Sequence, residues 1–366
     1  MKIIAVHTNV RHFAIRPQVR IISHAGTHDH SCFLHIIIED DEGNKGYGEA
    51  ALTALWSGET AQTADVMVKE IIRAVLLQKT FDHPSETSHL LEKTIYGNSF
   101  LKGAIDCAIW DLFGRSQGLS VATMIKNRAL PISLPSRASI GMYPVRETVA
   151  AAKYFWEAGI RTLKFKTGFS GSLDKDRLRA VRAELGYEPS FTVDYNGRFS
   201  NSDEALSSIH VLSEFGIQYV EQPTHRESLS LLAKVRRGSP IPIIADEAIF
   251  SPMQLEEAIR LEACDVVCLY PGKCGGFSNS ITMAQRCQEV GLPCVGGSNL
   301  ETDLGSAATL SLVASQSIFP HMTIPGDYAN GLYYLDGQGE PALSFSEGNT
   351  FLPEGPGFGV SPHTNP

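Results

Sequence analysis

The sequence predicts an α/β barrel joined to a smaller α+β domain. Three observations carry that prediction. From about residue 131, short apolar runs alternate with amphipathic helical stretches. Each pair takes about 25 residues, the signature of parallel strands with right-handed crossovers. Before residue 126 the order is different: antiparallel strand patterns come first and helical periodicity follows. Acidic residues also recur at the ends of successive strand runs, where an α/β barrel gathers its chemistry.

Composition sets the outer bounds. The 366 residues are 43% hydrophobic and 19% charged, with a mean hydropathy of −0.06, which are globular values. A formal charge of −9 and a pI near 5.7 argue against a nucleic-acid or anionic-membrane partner. No run of about 18 apolar residues reads as a transmembrane helix. The opening MKIIAVHTNVRHF reads as a first strand and not as a signal peptide. Seven cysteines, an odd number with no C-x-x-C, predict a reduced cytoplasmic chain. Cys264, Cys268 and Cys274 read as small buried hydrophobes rather than a zinc site.

The first domain is placed at residues 1–126. IIAVHTNV and SCFLHIIIED read as strands, followed by the turn DDEGNKG and the short strand YGEA. The acidic run EDDEG reads as part of a solvated turn. TAQTADVMVKEIIRAVLL and SFLKGAIDCAIWDLFGRSQG repeat apolar residues at helical spacing, and Gly118 is the expected C-cap of the second. The barrel is placed at 131–330. Its strand runs are RASIGMY, RTLKFKTG, SFTVDYN, IQYVEQP, PIPIIADEAI, CDVVCLYPGKCGG and LPCVGGSNLE, and LGSAATLSLVAS closes it as a helix. About eight units would fill a closed barrel of roughly 200 residues. No G-x-G-x-x-G follows a first strand, which argues against an open dinucleotide-binding sheet. The Gly- and Pro-rich tail 331–366 is expected to pack back on the first domain and complete it.

The strand ends supply candidate site residues in order. They are Lys164 and Lys166, then Asp194 and Asn196, Glu221, Asp246 and Glu247, Tyr270 and Lys273, and finally Ser298, Asn299 and Glu301. Asp194, Glu221 and Asp246 lie 27 and 25 residues apart, one per consecutive strand. Three converging carboxylates repel without a cation, and an all-oxygen set suits Mg²⁺, with Mn²⁺ the alternative. Alternation along a strand turns Lys164 and Lys166 to the same face. Like charge and desolvation would lower a lysine pKa and make a general base. A metal with a lysine suits removal of the proton α to a carboxylate, giving a metal-stabilised enediolate.

These residues resemble the enolase superfamily, specifically its muconate-lactonizing subgroup (mandelate racemase/muconate lactonizing enzyme-like). The matching segments are YGEA, YGNSFLKGAIDCAIWDLFGRSQGLS, the K-x-K of Lys164 and Lys166, the D-x-N of Asp194 and Asn196, EQP, ADE, GKCGG, GGSNLETDLG and GPGFGV. They run nearly end to end. The resemblance implies a capping domain over a modified (β/α)7β TIM-type barrel, with Mg²⁺ on Asp194, Glu221 and Asp246. It implies Lys166 as base, Lys164 and Asn196 serving substrate or intermediate charge, a small-molecule carboxylate substrate, and a homo-oligomer.

One position departs from that pattern. The subgroup usually carries a second lysine at the end of the sixth strand, where this sequence has Tyr270; Lys273 lies three residues later. Tyrosine, with an ordinary pKa near 10, is a poor base but a usable acid. One-base elimination of water or cycloisomerisation is therefore favoured, with racemisation or epimerisation of an amino acid or its N-acyl derivative the alternative. A hydroxylated amino or imino acid such as hydroxyproline and a muconate-like diacid are both candidate substrates. Dipeptide-epimerising relatives carry D-x-D near the eighth strand; FPHMTIPGDYA lacks it. By the same resemblance, loops 16–30 and 51–58 cap the site and offer His24, His28, His30 and Trp56. Two rivals are weak. The H-x-H of His28 and His30 does not end a barrel strand, as an amidohydrolase would need, and a Schiff-base aldolase would not need three acids. A non-catalytic carboxylate-binding protein is the remaining reading.

Overall fold

The computed structural model describes residues 1–335 and 339–362. Three strands form the antiparallel sheet of the first domain, in the order β1 (Ile3–Ala14), β2 (His30–Asp40) and β3 (Lys45–Ala51). The connection from β1 to β2 carries a small hairpin, Ile21–Ser23 paired with Gly26–His28. The turn after β2 is not simply solvated. Asp40 is buried, and its Oδ1 accepts the Glu42 and Asn44 N–H groups, so one acid of the run builds the turn.

Helix α1 (Ser99–Gln117) is buried along most of its length. Glu59 accepts the Phe100 and Leu101 N–H groups at its start, and Gly118 ends it in the left-handed conformation. The sheet lies so close to α1 that Gly46 and Gly48 of β3 face the carbonyls of Ala108 and Ala104 with no room for a Cβ. The YGEA motif is therefore a packing requirement as well as a signature. Gly48→Ala is expected to cost at least the roughly 1–3 kcal/mol of an overpacked core, because the clash is with backbone; chemical denaturation checks it.

Seven parallel strands follow in chain order, each beside its sequence neighbour: β4 (Arg137–Ile140), β5 (Thr162–Lys166), β6 (Ser190–Asp194), β7 (Ile217–Glu221), β8 (Ile243–Ala245), β9 (Val266–Leu269) and β10 (Cys294–Gly296). Helices α2 (Val145–Glu157), α3 (Gly171–Leu185), α4 (Ser202–Ser213), α5 (Leu229–Gly238), α6 (Pro252–Leu261) and α7 (Phe277–Val290) connect them, and α8 (Asp303–Ser315) follows β10. The gap between β10 and β4 is bridged by an irregular segment instead of a full strand. Arg137 N–H donates to the Gly326 carbonyl and Asp327 N–H to the Gly296 carbonyl. The curled sheet thus has seven strands and a bridging eighth segment.

The tail packs in two places. Val121 N–H donates to the Gly357 carbonyl and Phe358 N–H to Asp111, next to α1. Asn349–Phe351 pairs with Ser133–Pro135 before the first barrel strand. Residues 336–338 and 363–366 of the expected tail lie outside the described residues. No helix among the described residues is long and apolar enough to cross a membrane, and all seven cysteines are free.

Candidate active site

Strand alternation places the lysines as expected. Leu163 and Phe165 are buried on the outer face of β5, with the Phe165 ring 4.7 Å from that of Phe191. Lys164 and Lys166 point the other way, into a cavity at the strand C-termini. Parallel register brings the acids to meet them: Lys166 pairs with Asp194 and Asp194 with Glu221. Asp246 follows β8 directly. The same alternation puts Arg137 and Ser139 of β4 on the cavity side.

These groups form one connected charge cluster. Lys166 Nζ lies 2.6 Å from Asp194 Oδ2. Lys164 Nζ lies 2.9 Å from both Glu221 Oε1 and Asp327 Oδ2, and 3.7 Å from Asp194 Oδ2. Arg137 Nη2 lies 2.8 Å from Glu221 Oε2 and 2.7 Å from Asp327 Oδ2. Burial pushes the Glu221 carboxyl up, but Arg137 and Lys164 hold it below its ordinary range. Burial raises Asp194, and Lys166 does not cancel the effect. For Lys164 the expected depression is corrected. Burial and Arg137 push its ammonium down, but Asp327, Glu221 and Asp194 push it further up, so it stays charged.

Among the described residues, Glu221, Asp246 and Cys268 bring ligand atoms within 4.8 Å of one another. Asp194 stands one strand over, with Oδ2 drawn to Lys166 and Oδ1 accepting the Asn196 N–H. Two buried acceptors, Asn196 Oδ1 and Glu247 Oε2, have no hydrogen-bond partner among the described residues. Hard carboxylate and amide oxygens fit Mg²⁺ or Mn²⁺, whereas the Cys268 thiol is a soft donor that Mg²⁺ does not take. Cys264 and Cys274 are buried.

Two candidates are corrected. Lys273 is fully buried, and its Nζ is committed to the Asp246 carbonyl (2.8 Å), Asp246 Oδ1 (2.9 Å) and the Cys268 carbonyl (2.7 Å). All three ammonium donors are engaged, so it positions Asp246 and does not face the cavity. Tyr270 is buried outside the cavity lining, its ring 6.4 Å from Phe100 and its hydroxyl without a hydrogen-bond partner among the described residues. Burial, with Asp246 and Glu301 nearby, raises that phenol well above its ordinary range, so it is no base.

The other candidates divide. Asn196, Ser298, Asn299 and Trp56 line the cavity, together with Ile21, Ser23 and His28 from the hairpin. Both capping loops therefore reach the site. Glu247 and His24 line a neighbouring cavity, and Asn196 Nδ2 donates to Glu247. Burial and the acids Asp246 and Asp194 raise Glu247, which favours its neutral form. Glu301 lies behind the wall, accepts the Ser298 hydroxyl at 2.7 Å, and is pushed up to about 7 by burial. His30 is exposed and pairs with Asp29. Arg137 and Asp327 complete the cluster: alternation within RASI turns the first inward, whereas the second lies in the irregular FPHMTIPGDYA segment, where no periodicity points to it.

The first domain is tied directly to this end of the barrel. Glu49 of YGEA accepts the Thr302 N–H at 2.8 Å and contacts its hydroxyl, while His35 Nε2 lies 2.9 Å from the same carboxylate. A parallel barrel with acids and lysines at its strand ends, capped by an α+β domain, defines a class of enzyme. Residues 5–125 match the family described as mandelate racemase/muconate lactonizing enzyme, N-terminal domain, and residues 147–365 match the enolase C-terminal domain-like family. The chain belongs to this enolase-superfamily group. Muconate cycloisomerase 1 of Rhodococcus opacus is 29% identical over 331 residues, covering 89% of this chain and 87% of its own. L-Ala-D/L-Glu epimerase of Francisella tularensis subsp. novicida is 29% identical over 326 residues, covering 88% and 89%. The dipeptide epimerase of Cytophaga hutchinsonii, solved with Mg and D-Ala-L-Val, has the same fold. Its TM-score is 0.92 at 24% identity, over 100% of this chain and 97% of that one.

Proposed function

We propose that this enzyme runs a one-base reaction on a small carboxylate, with Lys166 taking the proton from the α-carbon. The reaction is loss of water from a hydroxylated amino or imino acid, such as a hydroxyproline, or a cycloisomerisation. The observation that carries this reading is the placement of nitrogen bases. Among the described residues, the amines lining the cavity are Lys164 and Lys166, both from β5, while the residue directly after β9 is the buried Tyr270. His28 also faces the cavity, but burial holds its pKa at about 4, too weak a base for an α-proton.

Asp194, Glu221 and Asp246 would hold Mg²⁺ or Mn²⁺, which supplies positive charge to the substrate carboxylate as its α-carbon becomes electron-rich. Lys164, held charged by Glu221 and Asp327, adds a fixed cation beside that carboxylate. In the dehydration the Cα–H and Cβ–O bonds break and the C–H electron pair becomes the Cα=Cβ bond. The proton accepted by Lys166 passes to the departing hydroxyl, which leaves as water. Addition of Mg²⁺ at about 100 times its Kd is expected to stabilise the fold by about 2.7 kcal/mol; a rise in Tm reversed by chelation checks it. Residence in the cytoplasm and assembly into a homo-oligomer belong to the same proposal.

Racemisation or epimerisation is the second reading, favoured by relatives of equal identity that include an epimerase. Proton NMR in D₂O with Mg²⁺ tests both. The panel is prolines, hydroxyprolines, N-acyl amino acids and muconates. Loss of water or ring closure on one of them is the expected result. Deuterium at Cα with loss of optical purity would replace it with racemisation. No exchange on any member would leave a carboxylate-binding protein.

A further inference from the structure

The charged side chains lining the cavity all belong to the barrel. They sit on β4 to β7, immediately after β8 at Asp246, or on the bridging segment at Asp327. The wall built by the first domain is different. It presents Ile21, Ser23, Thr53, Leu55, Trp56 and His28, with no lysine, arginine or acid among them. The three cations lining the cavity among the described residues are already paired, Arg137 and Lys164 with Glu221 and Asp327, and Lys166 with Asp194. A substrate carboxylate at the metal end has partners. A second carboxylate at the first-domain end would meet an apolar and neutral surface, which is strongly unfavourable.

His28 is the wall's most specific polar group. Its place is set by the hairpin, where it pairs with Ile21, and its Nε2 lies 2.7 Å from Ser31 Oγ. Tyr334, through its own hydroxyl, holds Ser31 in turn at 2.7 Å. The other ring nitrogen, Nδ1, has no hydrogen-bond partner among the described residues. Burial, His30 and Lys166 keep the ring neutral, with Asp29 the opposing charge. A neutral imidazole nitrogen either donates or accepts, according to tautomer. A hydroxyl can answer either tautomer, because it both donates and accepts. A carboxylate only accepts and an ammonium only donates.

We infer that the first-domain wall recognises a neutral hydroxyl on a monocarboxylate substrate, with His28 as the residue that determines this specificity. The inference rests on the proposed carboxylate chemistry and chooses between its candidate substrates: it selects the hydroxylated acid over the muconate-like diacid.

Calorimetry separates this from the turnover question. Mg²⁺-loaded Lys166→Ala protein, whose turnover is slowed, is titrated with matched pairs: proline with 3- and 4-hydroxyproline isomers, and alanine with serine. cis,cis-Muconate is titrated alongside. At least one hydroxylated member is expected to bind about tenfold tighter than its deoxy partner, the worth of one well-made hydrogen bond. Adding His28→Phe should abolish that ratio, and a Tm that still rises with Mg²⁺ shows that the variant is folded. His28→Asn, which can still donate or accept, should restore part of the ratio. Absence of a preference in every pair, tighter binding of muconate, or a ratio that survives His28→Phe would overturn the inference. Racemisation in D₂O would overturn the one-base reading and leave this binding result standing.

Discussion

Lys166→Ala is expected to lower kcat by about 10²- to 10⁴-fold, the usual contribution of a positioned general base. The substrate Cα–H signal should then persist in proton NMR. The argument is geometric. Lys166 lines the cavity from the last position of β5, with a single close carboxylate, Asp194, at 2.6 Å. Lys164 cannot readily replace it. Its ammonium is shared between Glu221 and Asp327 at 2.9 Å each, and those carboxylates hold its proton. Removing Lys166 also leaves Asp194 with a weaker partner, so metal affinity should rise slightly, not fall. A Mg²⁺ titration followed by Tm reads that separately from kcat. Near-normal turnover in Lys166→Ala would move the base elsewhere and end the proposal as stated.

Arg137→Met is expected to destabilise the fold by about 3–5 kcal/mol, the cost of removing one partner from a buried ion pair. Arg137 is 2% exposed and spans three parts of the barrel. It leaves β4, reaches Glu221 on β7, and holds Asp327 on the segment that bridges β10 to β4. Without it, Asp327 and Glu221 share one remaining cation, Lys164. The combination Arg137→Met with Asp327→Asn should recover part of the loss, because it no longer strands a buried charge. Thermal and denaturant unfolding of the two variants check this. Equal stability of Arg137→Met and the parent would mean that water already neutralises the cluster.

Much of this was legible in the chain. Lys164 and Lys166, two apart in a strand run, had to share a face. Acids 27 and 25 residues apart, at the ends of consecutive strands, had to lie side by side once the strands paired in order. Gly118 ended its helix as expected. The misplaced candidates share a cause. Tyr270 and Lys273 follow β9, in a stretch where the chain turns, and alternation no longer says where a side chain points. Lys273 folds back onto two carbonyls and Asp246, while Tyr270 is packed against Phe100 of α1.

By itself the sequence determined the βα succession, the face on which the lysines stand and the acids that accompany them. These follow from periodicity and from register between neighbouring strands, which are local properties. Only the tertiary structure decided that Arg137 and Asp327, 190 residues apart, close the cluster, that Lys273 is spent on Asp246, and that His28, not His24 or His30, lines the main cavity. Those contacts depend on closing the barrel and docking the cap, and residues so distant in the chain acquire a common environment only when both have happened.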